Sequence, residues 1–383
     1  MTKQTNLPPM VVKHAHVELA EAQRVQKTLL APGPCPHLFE GRQKNIAVYG
    51  LISKGPEFEF YDALLAMTNM KDPLSRRLMA GIMAAAEIYT KRMIQIWVEL
   101  CNLRTFKDQD GVYQKWGPAG DFMMMRIMDY VRELEKKHNI RIICQHDCKR
   151  GDLGATMIGY YDRFIGNLSS SLEIGHAFLG YDTMNIQLYM GSDVLMLKEV
   201  QKKNYIPAHG LKLMREKGKG IIVVDKTSND SGPEYQQLFI PKRGRTLEEC
   251  VAEDINSLAE YYGLVYDELS PLGLVVGSTH QANGMLRLLF PTGTWWVPGY
   301  GNQGGKFENI MLELIREGKW CGQGATFTNE TGMMYVWMEN QGGTGKIHDA
   351  EMLSISATKK FQEAEYKAYQ TPEVKAAGIR YPF

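Results

Sequence analysis

Residues 146–156 read HDCKRGDLGAT: two aspartates, two basic residues and two glycines directly after the apolar run RIICQ at 141–145. Side chains alternate faces along a strand, so Asp147 and Lys149 share one face while His146 and Cys148 share the other. If the strand belongs to a closed parallel barrel, the Asp147 face is the interior, at the C-terminal mouth where barrel chemistry sits. An ammonium held between carboxylates keeps both its charge and its place, which suits a proton donor aimed at a forming carbanion. Asp152 falls beyond the strand, after Gly151, at the start of the next helix. A structural ion-pair network at a strand end would look the same at this level. Cys144, His146 and Cys148 lie in line along one strand, without the turn-type spacing and fourth ligand of a tetrahedral zinc site. They read as core residues facing the covering helices.

Two glycine-rich stretches compete as anion loops. VPGYGNQGGK (297–306) follows an expected strand, and FENIMLELIREG (307–318) after it has a helical pattern. Glycines there let backbone N–H groups approach an anion at a helix N-terminus, and this loop falls after the seventh expected strand, where barrels often hold phosphate. NQGGTGK (340–346) fails as a nucleotide loop, because Asn340 stands where the first glycine belongs and Ile347 follows the GK pair.

The elements that must position these residues alternate. β-rich runs are expected at 45–51, 93–100, 140–147, 183–190, 220–228, 272–279, 294–299 and 325–329, and amphipathic helical patterns fill the gaps. Near-continuously apolar strands alternating with helices predict an α/β fold, a (β/α)₈ barrel over 44–350. A doubly wound open sheet alternates in the same way and is the second reading. Residues 1–43 read as an appended N-terminal arm with one helix, and 351–383 as a C-terminal helical tail.

With 383 residues, 44% hydrophobic and 23% charged, the chain can bury a large core, and a net charge of +1 gives no electrostatic case for nucleic acid or an anionic membrane. No apolar run approaches the roughly 18 residues of a spanning helix, and the N-terminus lacks a signal-type apolar stretch. The six scattered cysteines (35, 101, 144, 148, 250 and 321) suit reduced thiols and a cytoplasmic setting.

In combination the motifs resemble a known family. DCKRGDLGAT (147–156) is similar to the D-x-K-R-G-D-I-G-x-T signature of orotidine 5′-phosphate decarboxylases, in their longer bacterial-type branch. GYDTMNIQLYMG (180–191), VVDKTSND (223–230), LVVGST (274–279) and VPGYGNQGG (297–305) resemble that family's later strand ends in the same order, over about residues 140–335. The resemblance implies a cofactor-independent lyase acting on a phosphorylated small molecule, orotidine 5′-phosphate by default. It implies that Asp147 faces the substrate carboxylate and Lys149 protonates the carbon that loses carbon dioxide. Asp152 and Thr156 would reach across a dimer interface towards the ribose of a neighbouring site, so the assembly would be a homodimer or larger. Ser228 would contact the pyrimidine, and the loop of Gly301, Gln303 and Gly304 would hold phosphate.

The chain departs from the family pattern in three places. Ile52 and Ser53 stand where a first-strand aspartate is expected. Glu99 is the nearest charged residue where a second-strand lysine is expected, with Lys54 or Lys107 as stand-ins. Thr331 replaces the phosphate-gripping arginine after strand eight, which leaves Lys306 as the nearest basic residue for that end. Glu99 has a second reading as a Mg²⁺ ligand together with Asp147, as in the related 3-keto-gulonate-phosphate decarboxylase and hexulose-phosphate synthase. The alternatives are therefore a diverged lyase working through an enolate, or a non-catalytic homologue with a binding or assembly role.

Overall fold

The computed structural model describes residues 12–36, 54–166, 179–198, 200–202, 204–206, 208–316 and 318–383. Eight strands form one sheet: β1 (Leu30–Pro32), β2 (Thr105–Gln109), β3 (Ile143–Arg150), β4 (Thr183–Ile186), β5 (Gly220–Lys226), β6 (Leu272–Val276), β7 (Thr294–Val297) and β8 (Ala325–Asn329). Their order is β1-β8-β7-β6-β5-β4-β3-β2, and every paired neighbour is parallel. The two ends of that order meet side by side. Thr105 Oγ1 donates to the Leu30 carbonyl at 2.9 Å, and Gln26 Nε2 donates to the same carbonyl at 2.9 Å. The sheet is thus a nearly closed (β/α)₈ barrel, with Ile222, Val275 and Trp296 packed together in its interior.

Three sequence expectations change. The expected first strand at 45–51 lies outside the described residues, and the strand in first position is Leu30–Pro32, from the span expected as an arm. The helix of that span, α1 (Ala15–Gln26), closes the N-terminal end of the barrel, where the strands begin. His16 Nδ1 lies 2.5 Å from the Ser270 carbonyl, and Gln23 Nε2 donates to the Ala325 carbonyl at 2.9 Å.

The expected strand at 93–100 is instead the end of a long helix, α2 (Pro73–Glu99), capped by Asp72, which accepts the Ser75 N–H at 2.8 Å. Met83, Glu87, Thr90, Met93, Ile94, Trp97 and Val98 are all buried, so the three- and four-residue period runs unbroken into the apolar stretch. An eight-residue stretch with six apolar residues cannot by itself distinguish a strand from a buried helix end. After the expected strand at 183–190, where the sequence has the helical pattern DVLMLKEVQKK (193–203), the described residues instead form a short 3₁₀ turn (Ser192–Leu195) and an antiparallel pair (Val200–Lys202 with Asn204–Ile206).

The layer around the barrel includes α3 (Pro118–His138), α4 (Gly154–Phe164), α5 (Leu247–Tyr261, with a Thr246/Glu249 capping box) and α6 (Ala350–Tyr369). No helix among the described residues is long and apolar enough to cross a membrane. Helix α6 is fastened to the start of β1 by Glu365, which is fully buried and accepts from Thr28 Oγ1 at 2.6 Å and from the Leu29 N–H at 3.0 Å.

Burial raises the Glu365 carboxyl from 4.5 to about 8. A carboxyl raised in the folded state stabilises fully below its unfolded value and loses that contribution as pH climbs through the folded one. Stability should therefore fall between about pH 4.5 and 8, with a slope of about 1.4 kcal/mol for each step of one in pH. Glu365→Gln should flatten that limb in melts run from about pH 5 to about pH 9. A variant with the wild-type slope would show that Glu365 ionises no differently on folding.

Candidate active site

A cavity of about 270 Å³ opens at the C-terminal ends of the strands. Lys107, Gln109, Asp147, Lys149, Asn185, Thr227 and Ser228 line one part, and Gly299, Gln303, Asn329, Glu330 and Thr331 line another.

The floor is built where β3 ends. Pairing with β4 becomes irregular between His146 and Arg150, and Lys149 adopts a left-handed backbone with φ +47°. Such a conformation costs a non-glycine residue about 1–3 kcal/mol, and it persists only where the surroundings impose it. Asn185 on β4 imposes it. Its Oδ1 accepts the N–H groups of Cys148 and Lys149 at 2.8 and 2.7 Å, and its Nδ2 donates to Asp147 Oδ1 at 2.6 Å. The turn swings the Lys149 ammonium back onto Asp147 Oδ1, to which it donates. The second oxygen, Oδ2, lies 2.6 Å from Lys107 Nζ of β2.

Asp147 and Lys107 are both buried. Burial pushes the Asp147 carboxyl up, but Lys107 and Lys149 outweigh it and hold the group well below the usual carboxylate range. Burial likewise opposes the Lys107 charge, and Asp147 with Glu330 more than restores it. Lys149 differs in being 48% exposed, so its ammonium faces the cavity. The result is one deep ammonium, one fixed carboxylate and one ammonium at the solvent side, converging at the mouth of the barrel.

No family model matches the chain. It is 27% identical over 251 residues to the orotidine 5′-phosphate decarboxylase of Rhodopirellula baltica, spanning 65% of this chain and 74% of that one. To the orotidine 5′-phosphate decarboxylase of Clostridium kluyveri it is 26% identical over 243 residues, spanning 63% and 71%. The structure of the orotidine 5′-monophosphate decarboxylase of Plasmodium berghei superposes with a TM-score of 0.60 at 14% identity, covering 94% of this chain and 100% of that one, a likeness of fold. In sequence, over about two thirds of its length, the chain is thus similar to orotidine 5′-phosphate decarboxylases, as a diverged relative of them.

Of the two stand-ins considered for a second-strand lysine, Lys107 lies on β2 and meets Asp147. The sequence left it as one of two candidates because β2 begins at Thr105, beyond the apolar stretch that suggested a strand. Glu99 lies elsewhere. At the end of α2 it accepts from Lys137, His138 and Gln95, each at 2.9 Å, and Lys137 leads the group in holding its carboxyl at about 2. That helix end leads into the start of β2, at the opposite end of the barrel from Asp147, so Glu99 and Asp147 cannot share a Mg²⁺ ion. Among the described residues no group of three or more His, Cys, Asp or Glu side chains is arranged to hold a metal.

Ser228 and Gln303 line the cavity and meet, with Ser228 Oγ donating to Gln303 Oε1 at 2.8 Å. Gly299 must be glycine, since its φ is +94° and a Cβ there would stand 2.9 Å from Ser228 Cβ. Gly301 and Gly304, at φ +81° and +80°, shape the exposed loop without lining the cavity. Lys306 is exposed and also outside the lining, while Thr331 lies in the wall. The expected helix after this loop is absent. Turns lead to a 3₁₀ segment, Met311–Leu314, so no α-helix dipole backs the loop.

Asp152 accepts the Leu153 N–H at 2.8 Å beside α4, and Thr156 is exposed on the first turn of that helix. Neither lines this chain's own cavity.

His146 faces the other way, as the alternation predicts. It is fully buried, 2.6 Å from Asp108 Oδ1 and stacked on Tyr181 with ring centroids 4.4 Å apart. Burial disfavours its charge, yet Asp108 and Asp110 raise it to about 9. The flanking Cys144 thiol is pushed up by burial to about 12, in keeping with a core role. Asn185, Gln109 and Glu330 escaped the sequence reading. The one available signal was polar residues inside strand ends, such as TFKDQ (105–109) and ATFTN (325–329).

Proposed function

We propose that the chain is a decarboxylase-like carbon–carbon lyase that removes carbon dioxide from a pyrimidine nucleotide, orotidine 5′-phosphate by default, using side chains alone. The observation that carries this reading is the Lys107–Asp147–Lys149 array at the cavity mouth. The substrate carboxylate sits against Asp147. The bond between the ring carbon and the carboxylate breaks, its electron pair stays on the ring carbon, and carbon dioxide departs. Lys149 then gives its proton to that carbon and is reprotonated from solvent. A vinyl-type carbanion is costly, so a fixed ammonium where charge develops is the main source of acceleration. Lys107 keeps Asp147 ionised and in place. Ser228 and Gln303 hold the pyrimidine and phosphate ends, aided by the loop of Gly301, Gly304 and Lys306. Asp152 and Thr156 serve the neighbouring site of a dimer.

The second reading is a lyase on a different acid, forming an enolate that Lys149 protonates. Thr331 favours it, because a hydroxyl does not replace an arginine's charge-assisted grip on phosphate. One experiment separates the two. Calorimetric titration with uridine 5′-phosphate and its 6-hydroxy analogue should show binding, the analogue tighter because it places negative charge where the carbanion forms. Orotidine 5′-phosphate should be consumed with release of carbon dioxide. A folded chain that binds neither nucleotide overturns the orotidine reading in favour of the second.

A further inference from the structure

Glu330, on the loop directly after β8, is the one acidic side chain besides Asp147 among the described residues lining the cavity. Its Oε1 accepts from Lys107 Nζ at 2.8 Å and from Gln109 Nε2 at 2.9 Å. Those donors stand two apart on β2 and so project from the same face of the strand. β1 lies between β2 and β8 but is only three residues long, so the bridge spans the wall above its end. Gly33 leaves room for it, since a Cβ there would stand 2.2 Å from Glu330 Cγ. Two donors converging on one oxygen, over a glycine that yields its side-chain space, make a built feature of the wall.

We infer that Glu330 sets the charge selectivity of the site: it cancels the deep lysine and makes the cavity discriminate against dianionic substrate groups. Two ammoniums, Lys107 and Lys149, face two carboxylates, Asp147 and Glu330. Within one chain the four sum to zero, and removing Glu330 makes the array more positive by one charge. Glu330 is also next in sequence to Thr331, where the family resemblance led to the expectation of an arginine. Its charge therefore acts on whatever group occupies that end. The effect on a ligand several ångströms away, at an effective dielectric between those of protein and water, is worth about a fivefold to tenfold change in affinity.

This inference rests on the nucleotide reading for its choice of ligand, so the test uses paired probes. Uridine 5′-phosphate and uridine differ only in the phosphate. Glu330→Gln keeps an acceptor for Lys107 and Gln109 but removes the charge. It should tighten uridine 5′-phosphate about fivefold to tenfold while leaving uridine within twofold. Glu330→Asp, which keeps the charge, should retain the wild-type preference. Glu330→Ser is the second neutral variant should the glutamine variant fail to fold. A purely structural Glu330 would predict weaker binding of both ligands in the neutral variants, and that result overturns the inference, as does an unchanged ratio. If wild type binds neither ligand, the nucleotide reading has failed by itself. Inorganic phosphate then becomes the probe, and charge selectivity requires it to bind the neutral variants more tightly than wild type. No gain there overturns it too.

Discussion

Lys149→Ala should lower kcat for the decarboxylation by about 10⁴-fold or more while leaving the protein folded. Loss of a positioned general acid removes about 10²–10⁴-fold. Loss of a fixed positive charge beside a developing carbanion removes about a further 10²–10³-fold. Stability should change little. The Lys149 side chain is 48% exposed, and ion pairs that reach solvent contribute about 0–1 kcal/mol. Asp147 would keep Lys107 on one oxygen and the Asn185 amide on the other, so the floor of the cavity stays assembled. Rapid-quench or steady-state assays alongside thermal melts check both halves. Activity within tenfold of wild type would remove Lys149 from the chemistry, and a collapsed melt would make it structural.

Lys107→Met should have the opposite signature, a large loss of stability with loss of activity as its consequence. The Lys107 side chain is 3% exposed and holds two carboxylates, Asp147 at 2.6 Å and Glu330 at 2.8 Å. Methionine fills much of the volume but leaves both acids without their shared cation. Removing one partner of a buried ion pair costs about 3–5 kcal/mol, because the remaining charge has lost its compensation. Asp147 retains Lys149, which moderates the loss on that side. Pairing the change with Glu330→Gln should recover part of the stability, since the two sites touch and their effects cannot be additive. Denaturant titration of the four proteins in that cycle measures the coupling. A coupling near zero would mean that the Lys107–Glu330 contact carries no net energy.

The comparison of Lys149 with Lys107 also shows what the sequence by itself determined. Local chemistry was legible. The pairing of Asp147 with Lys149 was anticipated from alternation, though a left-handed turn at Lys149 is what brings the ammonium back, and His146 turned the other way to meet Asp108. The glycine loop after β7 and the alternation of strand with helix were likewise legible, because turn residues and apolar period are local properties.

The tertiary structure decided everything that depended on closure. Which residues filled the first two strand positions was ambiguous, because a short apolar run suits a buried strand and the end of a buried helix equally well. That ambiguity put the second strand at 93–100 and left Lys107 as one of two candidates, and its identity as a site residue comes from meeting Asp147, forty positions along the chain. The contact between Lys107 and Glu330 spans 223 positions and exists only because β1 is short enough for β2 and β8 to bridge above it. Glu99 failed for the same reason in reverse, since proximity to β2 in sequence placed it at the wrong end of the barrel. Alternation fixes which face a side chain takes, but only the closing of the barrel fixes what stands opposite it.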